Sequence, residues 1–134
     1  ILVDTAPGFA TRSCVKFLGE IEVLPRHLTA SQWVAQAGID ARPKESGDKN
    51  GSRQISKQGN SKIRAALFYP AMTATKHDPH VAAYYQSLIA RGKKPMQALV
   101  AVMRKLLHAL WGMLHHRQPW DGSKFYRLNP IKNA

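Results

Sequence analysis

The sequence predicts an all-α domain of about five helices, opened by a helix-hairpin-helix-like element and interrupted by one long basic loop. Three observations predict it. Met96, Leu99, Val100, Met103, Leu106, Leu107, Leu110 and Leu114 recur at three- and four-residue spacing, the mark of a helix face turned to a core. Helix start and stop residues bracket shorter apolar stretches upstream. From Asp40 to Asn60 neither a 3.6- nor a 2-residue period holds, and Pro43, Gly47, Gly51 and Gly59 break the backbone, so that stretch reads as loop.

The elements follow in order. Leu2 to Thr11 reads as a short helix end and a Pro7-Gly8 turn, leading into a helix through Phe17 and Leu18 to Gly19, a hairpin outline over residues 1–20. Such a turn can offer backbone N–H groups to a phosphate, although Ala10 stands where the pattern carries a second glycine, and a plain helical turn is the other reading. Thr29 with Gln32 makes a capping box for a short helix that carries Trp33, Val34 and Ala37 and stops at Gly38. Asn60 caps a helix with Ile63, Leu67, Ala71 and Ala74 on one face, Pro70 as a kink, and Lys62 and Arg64 toward the loop. Asp78-Pro79 starts the next helix, whose stripe is Val81, Tyr84, Tyr85, Leu88 and Ile89 and whose stop is Gly92. Lys93, Lys94 and Pro95 start the last. Trp33, Phe68, Tyr84, Tyr85 and Trp111 fall among aliphatics at helical spacing and read as core rather than as base-stacking platforms. Residues 1–117 form the domain. Residues 118–134, with Trp120, Phe125 and Tyr126 but no period, form an irregular tail that packs over the core or docks on a partner.

A chain of 134 residues suffices for one domain with a core. Its 20 Lys and Arg against 8 Asp and Glu give a net charge of +12, a polyanion-binding signature, with the excess in the loop and after Arg91. Nucleic acid is the expected partner. No apolar run reaches the roughly 20 residues a membrane span needs, so no membrane partner is expected. The single cysteine, Cys14, makes an internal disulfide impossible, and no leader-like segment opens the chain, so a reducing, cytoplasmic setting is expected. The first residue, Ile1, is not a methionine, and the expectation is a piece of a longer protein.

The acids Asp4, Glu20, Glu22, Asp40, Glu45, Asp48, Asp78 and Asp121 are scattered, and no pair has a recognisable ligand spacing except Glu45 and Asp48 within the loop. The histidines show no zinc spacing. No cofactor or metal site is expected in this chain. The loop instead holds Ser46, before the flexible Gly47, and Ser56, beside Lys57, among Arg42, Lys44, Lys49, Arg53, Lys62 and Arg64. A serine attacks a phosphodiester when basic groups lower its pKa and stabilise the five-coordinate phosphorus. Each serine is also an ordinary turn residue, and the residues alone do not choose between Ser46 and Ser56.

The order of these features, from the Pro-Gly hairpin through Ala35-Gln36-Ala37-Gly38-Ile39, Glu45-Ser46-Gly47, Arg53 to Asn60 and Ile63-Arg64-Ala65-Ala66-Leu67, resembles one family. Tyr85, Leu88, Arg91-Gly92-Lys93 and the helix containing Arg104-Lys105-Leu106-Leu107 extend the likeness over nearly the whole chain. It is similar to the C-terminal transposase domain of the insertion-sequence transposases related to the Piv DNA invertases, the bridge-RNA-guided serine recombinases. The resemblance implies DNA strand cleavage and exchange by a serine nucleophile at the Ser-Gly step, here Ser46. It implies magnesium held by four carboxylates on an N-terminal RuvC-like domain outside these residues, without which the chain would be inactive. It also implies a non-coding guide RNA and a homo-oligomeric synaptic complex. Arg42, Lys44, Lys49, Arg53, Ser56, Lys57, Lys62 and Arg64 are the candidate nucleic-acid contacts, and Arg53, Lys57 and Arg64 the candidate transition-state contacts. A non-catalytic nucleic-acid-binding module, or a transposase remnant, is the alternative that charge and helices suit equally; a purely structural assembly protein is a third.

Overall fold

The computed structural model describes residues 2–39 and 61–128, all helical or irregular and without a strand among them. A single 3-10 turn over Leu2–Thr5 precedes α1 (Thr11–Ile21), α2 (Ala30–Ala37), α3 (Ser61–His77), α4 (Pro79–Ala90), α5 (Pro95–His116) and the short α6 (Gly122–Phe125). The hairpin outline at the start is thus a 3-10 turn, a bend and one helix. α1 also runs through Gly19 to Ile21 rather than stopping there.

Local chemistry sets the boundaries. The Thr29 hydroxyl accepts from the Gln32 amide at 3.2 Å while Gln32 Oε1 accepts from the Thr29 amide at 2.7 Å, closing the expected capping box. At the other end Gly38 is left-handed, φ 74°, and Gly38 and Ile39 donate to the carbonyls of Ala35 and Val34. This double bond is the Schellman stop, completed by the apolar Ile39, which is buried. Asp78 caps α4 by accepting from the His80 and Val81 amides at 3.1 and 3.0 Å. Asn60, expected to cap α3, lies outside the described residues.

α3 and α5 form the centre. α3 packs on α1, α2, α4 and α5, and α5 packs on α2, α3, α4, the N-terminal turn and α6. Their facing sides bury Ile63, Leu67, Val102, Leu106, Leu107 and Leu110 completely or nearly so, with Phe17 of α1 and Val81 of α4 closing the flanks. Pro70 stands inside α3, where it has no N–H to give to the helix ladder. Its backbone is where Gly8 docks: Gly8 has φ 84°, and a Cβ there would lie 2.9 Å from the Pro70 Cα and carbonyl carbon and closer still to the carbonyl oxygen. Only glycine satisfies both conditions.

The α5 stripe differs from the expected one at its edges. Leu99, Met103, Leu106, Leu107 and Leu110 are buried as expected, but Ala98, Val102 and Met113 join them, Val100 and Leu114 are half-buried, and Met96 is 58% exposed. Periodicity places a face but not the point where the helix runs out of neighbours, and Met96 is on its first turn. Of the aromatics expected in the core, Trp33 is buried, while Phe68, Tyr84, Tyr85 and Trp111 are half-buried against it. Residues 118–128 lie on α4 and α5: Phe125 is buried, the Trp120 amide donates to the Thr5 hydroxyl at 2.8 Å, and His80 Nδ1 donates to the Tyr126 carbonyl at 2.9 Å.

Candidate nucleic-acid interface

Residues 40–60, which hold most of the candidate site, run between two points that the structure brings together. Ile39 follows the Gly38 stop of α2, Ser61 begins α3, and Arg64 on the first turn of α3 donates from Nη1 to the Ala37 carbonyl oxygen at 3.0 Å. That oxygen is one of the orphan acceptors at the end of α2, so the guanidinium caps a helix as well as tying it to its neighbour. Arg64 is half-buried and Lys62 exposed. The other candidates, Arg42, Lys44, Ser46, Lys49, Arg53, Ser56 and Lys57, lie outside the described residues. So do Glu45 and Asp48.

The surrounding charge is uneven. From Arg91 to the C terminus nine Lys and Arg face one acid, Asp121, whereas the first 39 residues hold three of each sign. Residues 40–60 themselves carry five basic and three acidic side chains. The positive field therefore comes mainly from the C-terminal third rather than from the loop. Within it, Lys105 Nζ lies 5.0 Å from the centre of the Tyr84 ring and 5.5 Å from that of Phe125, a cation–π arrangement that anchors it to the core. His108 is pushed below its ordinary pKa by desolvation and then by Lys105 and Arg104, so it is neutral at pH 7. Burial, and then Asp4, push the Cys14 thiol up, which keeps it protonated and inert as a nucleophile.

Among the described residues no three His, Cys, Asp or Glu side chains converge on a point that would hold a metal ion. Asp121 is instead held below the usual carboxylate range by the Ser123 hydroxyl and amide it accepts from. No helix among the described residues is long and apolar enough to cross a membrane.

One surface escaped the sequence reading. Ile39, Ser61, Arg64, Ala65, Phe68, Tyr69, Met96, Val100 and Met103 line a concavity of about 380 Å³ at the foot of residues 40–60. Tyr69 is 68% exposed there and Met96 58%. Tyr69 falls off the α3 stripe, which is the signal that marks it as outward-facing.

Residues 2–86, from the first turn through most of α4, match the family model described as "Transposase IS116/IS110/IS902 family". The chain belongs to that family. Over 113 residues, 84% of this chain and 28% of the relative, it is 27% identical to an uncharacterized 43.6 kDa protein of insertion element IS110 from Streptomyces coelicolor. It is 26% identical over 122 residues to the pilin gene-inverting protein of Moraxella bovis, covering 90% of this chain and 38% of that one. A putative transposase, y4rJ, of Sinorhizobium fredii is 35% identical over 97 residues, 67% of this chain and 24% of its own length. The chain thus spans less than two-fifths of these relatives. The family match ends before α5, so the nine Lys and Arg from Arg91 onward lie beyond it.

Proposed function

We propose that this transposase-family chain acts in DNA strand cleavage and exchange during transposition, with Ser46 as the nucleophile. The observation that supports it is placement. Ser46 and Ser56 lie within the family-matched residues 2–86, on a basic segment whose flanking helices are tied together by Arg64 and Ala37. That tie fixes both ends of the segment without using its own residues.

In this reading the Ser46 hydroxyl attacks a phosphodiester: the Oγ–P bond forms, a P–O ester bond breaks, and the serine proton passes to a base as the ester oxygen leaves. Conserving the phosphoester on serine keeps its energy for rejoining. Arg53, Lys57 and Arg64 offset charge on the five-coordinate phosphorus. Arg42, Lys44, Lys49, Ser56 and Lys62 hold flanking phosphates. Magnesium belongs to carboxylates of a RuvC-like domain outside these residues, a guide RNA selects the DNA, and copies of the protein assemble around the paired sites. The chain of 134 residues by itself binds nucleic acid and does not cut it.

The test is a covalent adduct. Full-length transposase with labelled DNA carrying the element's ends should give a denaturation-resistant protein–DNA species, absent in Ser46→Ala while binding persists. An adduct that survives Ser46→Ala and vanishes in Ser56→Ala moves the nucleophile to Ser56. No adduct with either serine intact removes the serine mechanism.

A further inference from the structure

The concavity at the foot of residues 40–60 has a composition that its surroundings do not require. Two of the five large apolar side chains most exposed among the described residues, Tyr69 and Met96, line this one groove. Phe68 meets the Tyr69 ring edge-on at 5.1 Å, which braces Tyr69 from behind. Exposed apolar surface gathered in a recess marks a binding site more often than chance scatter does.

The rim specifies what fits. Ser61 and Met96, on the first turns of α3 and α5, both line the groove, so two long helices start beside it. Neither first turn carries an acid. Basic residues stand there instead: Lys62 and Arg64 on α3, and Lys93 and Lys94 immediately before α5. Cations at the positive ends of helix dipoles are unfavourable for the helices, and an anion between them reverses the sign. Arg64 is the cation of the lining, and Lys62, Lys93 and Lys94 stand within three residues in sequence of the lining residues Ser61 and Met96; an aromatic surface beside cations is the arrangement that takes a base on its face and phosphates at its edges.

We propose that this groove receives an unstacked base of single-stranded DNA, lying on Tyr69, with the adjoining phosphates on Arg64 and on Lys62, Lys93 and Lys94. The proposal rests on the DNA-strand function above, which supplies the reason for DNA. Ile39 and Ser61, where residues 40–60 leave and rejoin the fold, are themselves groove residues, so the base would be one close to the strand being cut. Alanine at a stacking aromatic removes the face, and phenylalanine keeps it.

The experiment is fluorescence anisotropy of the 134-residue chain with labelled single-stranded DNA of about 20 nucleotides, the same sequence as duplex, and the same sequence as RNA. Tyr69→Ala should weaken single-stranded DNA binding about 5- to 150-fold, the equivalent of 1–3 kcal/mol per stacked base. Duplex binding should be unchanged, and Tyr69→Phe should bind as the wild type does. Because Tyr69 is exposed, circular dichroism of Tyr69→Ala should match wild type. Wild-type binding that Tyr69→Ala leaves intact overturns the groove while sparing the DNA function. Loss confined to RNA, or a change of oligomeric state on sedimentation, gives the groove to an RNA or to a second copy and overturns it equally. A wild-type chain that binds none of the three nucleic acids overturns both.

Discussion

Arg64 and Ala37, 27 residues apart, join the two helices between which residues 40–60 run, through one hydrogen bond of 3.0 Å. A charged donor on a partly buried carbonyl contributes more than a neutral pair, so Arg64→Ala should cost about 1–2 kcal/mol in denaturant unfolding without nucleic acid. Arg64→Lys should recover only part, since lysine lacks the planar fork. Wild-type stability in Arg64→Ala would remove the stabilising role of this bond.

The same bond shows what the sequence could and could not say. The Thr29–Gln32 capping box, the Gly38 stop and the Asp78-Pro79 start depend on residues within five positions of one another, and each forms as read. Arg64 read as a loop-facing cation because its partner is brought near only by folding. Tyr69 and Met96 were missed as a pair for that reason: one lies off a helix stripe, the other on it, and only the packing of α3 on α5 sets them around one groove. Prolines and glycines were legible as breaks, but the docking of Gly8 on the Pro70 backbone is a contact between distant segments.

Gly8→Ala tests that contact. A left-handed backbone costs an L residue about 1–2 kcal/mol. Forcing a methyl group against the Pro70 backbone costs about 1–3 kcal/mol more. The variant should unfold at markedly lower urea concentration, whereas Gly19→Ala, whose new Cβ meets nothing within 4 Å, should be neutral or stabilising. Equal stability of the two would remove the steric argument.

Arg117 ends α5 with φ 53°, a left-handed conformation in a residue with a Cβ. Gln118 donates to the Met113 carbonyl at 3.0 Å, closing the stop that glycine usually makes. Arg117→Gly should therefore raise the thermal midpoint, by the equivalent of about 1 kcal/mol. A lower midpoint would mean that the arginine side chain contributes more than its backbone costs.

His108 titrates below its ordinary 6.5 in the folded chain. The folded state therefore binds fewer protons than the unfolded one in the window between the lowered pKa and 6.5. Stability from this residue is present above about pH 6.5 and is lost as pH falls through that window. His108→Gln should flatten the acid side of the stability profile there. An unchanged slope would assign the acid sensitivity to other groups.

The charge map yields the last prediction. Each phosphate neutralised on duplex DNA adds about 0.9 to the magnitude of the log–log salt slope, and several contacts imply a wild-type slope near −5 or steeper. The N-terminal cations Arg12, Lys16 and Arg26 share their segment with Asp4, Glu20 and Glu22, so little of the positive field originates there. Arg91, Lys93 and Lys94 stand in a segment whose single acid, Asp121, is far along the chain. Replacing these three by glutamine should reduce the slope by about 2–3, while replacing Arg12, Lys16 and Arg26 should change it by less than about 1. Both triples remove three charges, so net charge alone predicts equal effects. A titration in which the two triple variants lose the same slope would show that DNA responds to the chain's total charge and not to the α5 side of the fold.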